Sequence, residues 1–145
     1  MNTLIASILI ATALLFGVTS CDKVEDNGRF AGMWQLTEWK RLPDGQVVAD
    51  RYKSIYHKEY NGIYYSVQLD LMAFNGRSQY LARFRRTADS LFIGTVYHGP
   101  KDDIVDYDAL ADYGVPSDGK FAIDKLTRSA LVLRSDTAQL TFRKY

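Results

Sequence analysis

Cysteine occurs once in this chain, histidine twice and proline three times. A single cysteine excludes an intrachain disulfide framework. The two histidines, His57 and His98, stand without any His-x-x-x-His or Cys-x-x-Cys spacing, so no metal-ligand set is expected. His57 reads as a surface residue between the charged neighbours of a polar stretch. The net charge of +1 removes the electrostatic case for nucleic acid as a partner. There is no Gly-x-Ser-x-Gly, no phosphate-cradling glycine loop and no Ser-His-Asp constellation, which points away from an enzyme and from a cofactor. Few prolines and no Ser- or Gln-rich tract argue for an ordered domain. Beyond the first twenty residues no long segment carries a helical period.

What the chain does have begins with an apolar run from Leu4 to Val18 without a charged side chain. That run is too short for a spanning helix and has the length of a secretory core segment. It ends at Val18-Thr19-Ser20-Cys21, a branched apolar residue and two small residues before a cysteine. This resembles a lipobox, in which small residues admit the peptidase and the thiol takes the lipid. The expected organisation is a lipoprotein signal peptide over 1–20, a lipidated Cys21 with a polar tether over 21–28, and one folded domain over 29–145. The implied partner is the membrane, reached through the N-terminal lipid (diacylglycerol and palmitate). The implied address is the cell envelope, at the outer membrane, on its periplasmic or surface face. The acidic residues after Cys21 are similar to surface-export signals of Bacteroidetes lipoproteins, although Val24 interrupts the order.

The rest of the chain repeats with period two between turn residues. Strands are predicted from Met33 to Leu42, Gln46 to Tyr52, Ser54 to Glu59 and Ile63 to Phe74. Others follow from Ser78 to Arg86, Leu91 to Tyr97, Lys120 to Leu126, Ala130 to Arg134 and Gln139 to Lys144. Within Ile63 to Phe74, the residues Tyr65, Val67, Leu69 and Leu71 fall on one face. Tyr64, Ser66, Gln68, Asp70 and Met72 fall on the other. Asn75-Gly76 predicts a type I′ hairpin, and Tyr80, Ala82 and Phe84 share the inner face of the return strand. Asp106 to Tyr113 predicts one short helix, with Leu110 inward and Gly114 as its terminator. About eight antiparallel strands joined by hairpins make an all-β fold; barrel closure removes its free edges, and a β-sandwich is the alternative.

Gly32-Met33-Trp34-Gln35-Leu36 heads the first strand. Phe121 to Thr127, Leu131-Val132-Leu133 and Leu140-Thr141-Phe142 close the chain. Together these are similar to the lipocalin-like domain of Bacteroidetes lipoproteins. The resemblance implies an up-and-down barrel in which Trp34 packs across the closed end. It further implies a basic side chain over that tryptophan, with Arg143 the candidate; both residues are structural.

Three clusters invite function. Asp102, Asp103, Asp106, Asp108 and Asp112 crowd one segment; without an EF-hand order they read as helix caps and solvated carboxylates. Arg77, Arg83, Arg85 and Arg86 form a basic patch, read as solvated outer-face arginines or as a contact for an anionic surface. Tyr52, Tyr56, Tyr60, Tyr64 and Tyr65 offer apolar faces with polar tips, suited to strand packing or to an amphipathic or sugar ligand. The leading expectation is a non-enzymatic binding module, with Tyr56, Tyr65, Val67, Leu69, Tyr80 and Phe84 lining a site for a small amphipathic, apolar or glycan ligand. The alternative is an envelope lipoprotein that binds or inhibits a protein partner through a packed barrel. A third reading makes the Asp102–Asp112 segment hydrolytic.

Overall fold

The computed structural model describes residues 27–47, 62–76, 78–99 and 101–145. Among them run nine strands: β1 (Gly32–Arg41), β2 (Tyr64–Gln68), β3 (Leu71–Asn75), β4 (Gln79–Arg86), β5 (Ser90–His98), β6 (Asp103–Val105), β7 (Lys120–Leu126), β8 (Ala130–Arg134) and β9 (Ala138–Lys144). Two short 3-10 helices span Gly28–Phe30 and Tyr107–Tyr113. Neighbours along the sheet run β4-β3-β2-β1-β9-β8-β7-β5-β6, and a further β4–β5 pairing joins the ends. Eight strands therefore close an antiparallel barrel, and the sandwich alternative does not occur. Strand β5 serves two neighbours on one edge: Ser90–Phe92 pair with β7, while Val96–His98 pair with the short β6.

Every pair of neighbouring strands is antiparallel, so the turns gather at two distinct ends of the barrel. At one end, here the base, lie the Gly28–Phe30 helix, the β2–β3, β4–β5 and β7–β8 turns, and the last residues of β9. At the other end, the rim, lie the β3–β4 and β8–β9 turns.

Inward and outward residues alternate along most strands, as the pleat requires. Trp34, Leu36, Phe74, Leu91, Leu131, Leu133 and Leu140 are fully buried, and Tyr65 and Phe142 nearly so. Where burial skips a step, the pairing shows a bulge. One between Leu36 and Glu38 turns Trp39 inward after Leu36. Another between Ala82 and Phe84 opposes Val96 and Ile93, three positions apart and both buried. There a Cβ on Gly94 would come to 3.1 Å from the Arg83 carbonyl oxygen. The extra residue in each bulge increases local twist and helps the sheet to close.

The structure corrects two parts of the predicted pattern. The expected strand from Ile63 to Phe74 is two strands joined by a turn at Leu69 and Asp70, with Gln68 opposite Leu71. That turn reverses the parity. Met72 and Phe74 point inward, whereas Leu69 and Leu71 are exposed. The Asn75-Gly76 hairpin also differs, since Asn75 pairs with Gln79 and neither Asn75 nor Gly76 takes a positive φ. The expected strand at Ser54 to Glu59 lies outside the described residues. Of the expected strand from Gln46 to Tyr52, the Gln46 carbonyl accepts from the Arg41 amide, Val47 bridges Lys40, and residues 48–52 lie outside them.

Phe142 packs against Tyr65 in the middle of the barrel, the ring centres 4.6 Å apart and the planes tilted by 47°. We predict that Phe142→Ala lowers stability by about 3–5 kcal/mol through the cavity it leaves. Urea unfolding should show a lower midpoint at unchanged slope.

Candidate functional site

In this fold a small-molecule site belongs inside the barrel, so the packing of its two ends decides what the interior can do. At the base, the indole Nε1 of Trp34 donates to the Phe30 carbonyl at 2.9 Å. The Lys144 ammonium lies 4.1 Å from the centre of the Trp34 ring and donates to the carbonyls of Arg29 and Ala31. Burial pulls this ammonium below its ordinary value, while two carbonyls and the ring face stabilise the charge. Gly32, at φ 108°, lets Lys144 pass, because a Cβ there would lie 3.0 Å from the lysine side chain. Phe30 meets Phe84 edge to face at 5.5 Å, and the Arg86 guanidinium covers Phe30 at 5.3 Å.

The basic cover of Trp34 is thus Lys144 rather than the expected Arg143. Arg143 is exposed and donates through Nε to Gln35 at 2.6 Å. Strand parity explains the difference, and it was available in the sequence. Phe142 points inward, so its neighbour Arg143 points outward and Lys144 returns to the inner face.

The rim is closed by the Tyr107–Tyr113 helix and the residues after it. Leu110 is fully buried, and Tyr113 and Val115 are nearly so. The Tyr113 ring packs edge to face on Phe74 at 6.4 Å and on Tyr80 at 5.7 Å. Its hydroxyl donates to the Ser78 carbonyl and accepts from the Ser78 amide, tying the helix to the β3–β4 turn. From the middle of the barrel the Tyr65 hydroxyl donates to the Tyr113 carbonyl at 2.5 Å. Gly114 ends the helix at φ 84°, as its predicted role requires, and rests against Leu140 so closely that a Cβ would clash at 2.8 Å. Burial raises the pKa of both phenols. For Tyr113 the bonds to Ser78 act in the opposite direction.

The expected ligand-lining residues therefore separate. Tyr65, Val67 and Phe84 are buried among packed side chains; Tyr80 is half-buried against Tyr113 and stacks on His98 at 4.5 Å. Leu69 is outside, on the β2–β3 turn, and Tyr56 lies outside the described residues. Tyr64 points outward, its ring 5.2 Å from Tyr145. Tyr113 and Phe30, the residues that fill the two ends, were missed as interior groups because they sit on short helices with no periodic pattern.

The acidic segment does not gather into a metal site: among the described residues, no group of three or more His, Cys, Asp or Glu side chains is placed to hold an ion. Asp106 occupies the N-cap position of the helix, but its carboxylate makes no capping bond; its backbone carbonyl accepts from Ala109.

The Tyr65–Tyr113 bond generates a pH prediction. The unfolded phenol ionises near its ordinary value of 10.0 and the folded one higher. Above pH 10.0 the folded state therefore holds more protons, so this contribution is complete below pH 10.0 and falls as pH rises. We expect Tyr65→Phe to cost about 1–2 kcal/mol at neutral pH through the lost bond. The variant should also lose stability less steeply in alkali; thermal melts across the range check both.

The family described as lipocalin-like domain matches residues 14–145. Among solved structures, a lipocalin-like protein from Bacteroides uniformis superposes with a TM-score of 0.53 at 21% identity, covering 81% of this chain and all of that one. A protein from Bacteroides eggerthii gives 0.50 at 19% identity over 79% of this chain and 98% of its own. A Burkholderia xenovorans protein gives 0.51 at 16% identity over 79% and 81%. No curated protein matches the chain. The closed barrel and the family match over nearly its whole length place this chain in the lipocalin-like domain family.

Proposed function

We propose that this protein is a lipid-anchored binding module of the cell envelope that meets a protein partner through its outer surface and performs no catalysis. The observation that carries this reading is the filled interior. A void large enough for water would expose the side chains beside it. Yet Trp34, Leu36, Phe74, Leu133 and Leu140 expose none of their surface. Both barrel ends are occupied by the chain's own residues, which bury the apolar area that a carried ligand would otherwise cover.

The anchor reading rests on the apolar leader and on Val18-Thr19-Ser20-Cys21. The family match begins at residue 14, so the stretch around Cys21 falls within it. An outer-membrane position, periplasmic or surface-exposed, is part of the same proposal.

Carriage of a small amphipathic or glycan ligand is the rival reading. It requires the Tyr107–Tyr113 segment to leave the rim and expose Tyr65 and Tyr80. Native mass spectrometry of the protein purified from its own envelope distinguishes the two. We expect the mass of the lipid-modified chain alone. A further species of defined mass, lost on denaturation, would establish carriage. For the anchor, Cys21→Ser should abolish palmitate incorporation and release the protein from the membrane fraction. Unchanged incorporation would refute lipidation at this position.

A further inference from the structure

We infer that the base of the barrel is a docking face for a bilayer bearing anionic headgroups. This rests on the anchor reading above and adds an orientation to it. The first described residue, Asn27, donates through its side-chain amide to the Leu69 carbonyl. The chain thus leaves the barrel beside the β2–β3 turn, at the base. The six residues from Cys21 to Asp26 reach at most about 20 Å when fully extended. A lipid on Cys21 therefore holds the base, not the rim, against the membrane.

The chemistry of the base fits that neighbour. Leu69 is 56% exposed at the tip of its turn, and Leu71 beside it is 38% exposed. Leu69 also holds φ at 54°, a conformation cheaper for Gly or Asn. An apolar side chain more than half exposed on such a turn gains only part of its burial energy from the barrel and gains the rest from contact with acyl chains. At the same end of the barrel lie Arg29, Arg85 and, on the β7–β8 turn across the barrel from Leu69, Arg128, all exposed, with Arg86 and Lys144 part-buried. Arg83 is partly neutralised by its ion pair with Asp70. The acidic run from Asp102 to Asp112 lies on the rim side, beyond β5. The base also carries Asp70 and the exposed Asp89, and the tether carries Asp22, Glu25 and Asp26, but the cations of the barrel base outnumber its own carboxylates, whereas five aspartates fall between residues 102 and 112; an anionic surface orients a body with that imbalance base-down.

The test uses the mature lipid-modified protein reconstituted in vesicles of phosphatidylglycerol and phosphatidylethanolamine containing brominated acyl chains. A fluorophore is placed at Ser129→Cys on the base or at Asp136→Cys on the rim, the Cys21 thiol being blocked by its lipid. We expect the base label to be quenched several-fold more than the rim label. Leu69→Asn, which suits the backbone, and the pair Arg29→Glu and Arg85→Glu should each bring the base label down to the rim level. Equal quenching at both ends, or variants without effect, would overturn the docking face. An intact mass lacking acyl chains would instead sink the anchor reading. In that case cosedimentation of the same chain with anionic vesicles decides the face: binding lost in Leu69→Asn and in the double glutamate variant supports it, and no binding overturns it.

Discussion

A phenol buried in an apolar barrel must find a hydrogen-bond partner, and that requirement at Tyr65 shapes the rest of the molecule. Tyr65 is almost wholly buried, and leaving its hydroxyl unpaired would cost about 1–3 kcal/mol. The partner is the carbonyl of Tyr113, which exists at that point only if the Tyr107–Tyr113 helix is seated across the rim. Seating it demands the left-handed turn at Gly114 and its close approach to Leu140. It also brings the Tyr113 ring onto Phe74 and Tyr80 and its hydroxyl onto Ser78. One polar group in the core thus couples the barrel to its lid.

The base solves a different problem with the same economy. Lys144 faces inward because Phe142 does, yet an ammonium cannot be left in an apolar interior. It reaches the end of the barrel instead, where the Trp34 ring and the carbonyls of the Gly28–Phe30 helix and Ala31 receive it. A charge thereby pins the N-terminal helix over the barrel and leaves the surrounding arginines outside. The two ends are closed by different chemistry, a cation at the base and paired phenols at the rim, and between them, among the described residues, the inward side chains are buried against one another.

Much of this was legible from the chain. Period-two alternation located β1, β4, β5 and β7 to β9 to within a residue or two, and Gly114 marked the end of the rim helix. The errors share a cause. A two-residue turn at Leu69 and Asp70 contains no Gly or Pro, so the run from Ile63 to Phe74 reads as one long strand and its inner row continues wrongly through Leu69 and Leu71. The family resemblance implied a basic cover for Trp34 with Arg143 as candidate, whereas parity within β9 brings Lys144 to the inner face. The filled interior was not legible at all. Whether a barrel of eight strands is hollow depends on side chains that short helices deliver, and Phe30 and Tyr113 arrive by connections without a repeating pattern.

The seating of the rim helix is the point on which a packed barrel and a ligand carrier differ most. Amide hydrogen exchange measures it directly at Gly114 and Val115, whose N–H groups bond the carbonyls of Ala111 and Leu110. In a packed barrel they exchange as slowly as the amides of β9, opening only with global unfolding. Exchange at these amides orders of magnitude faster than in β9, with the strands still protected, would mean that the helix lifts by itself and that the barrel is a closed vessel rather than a solid one.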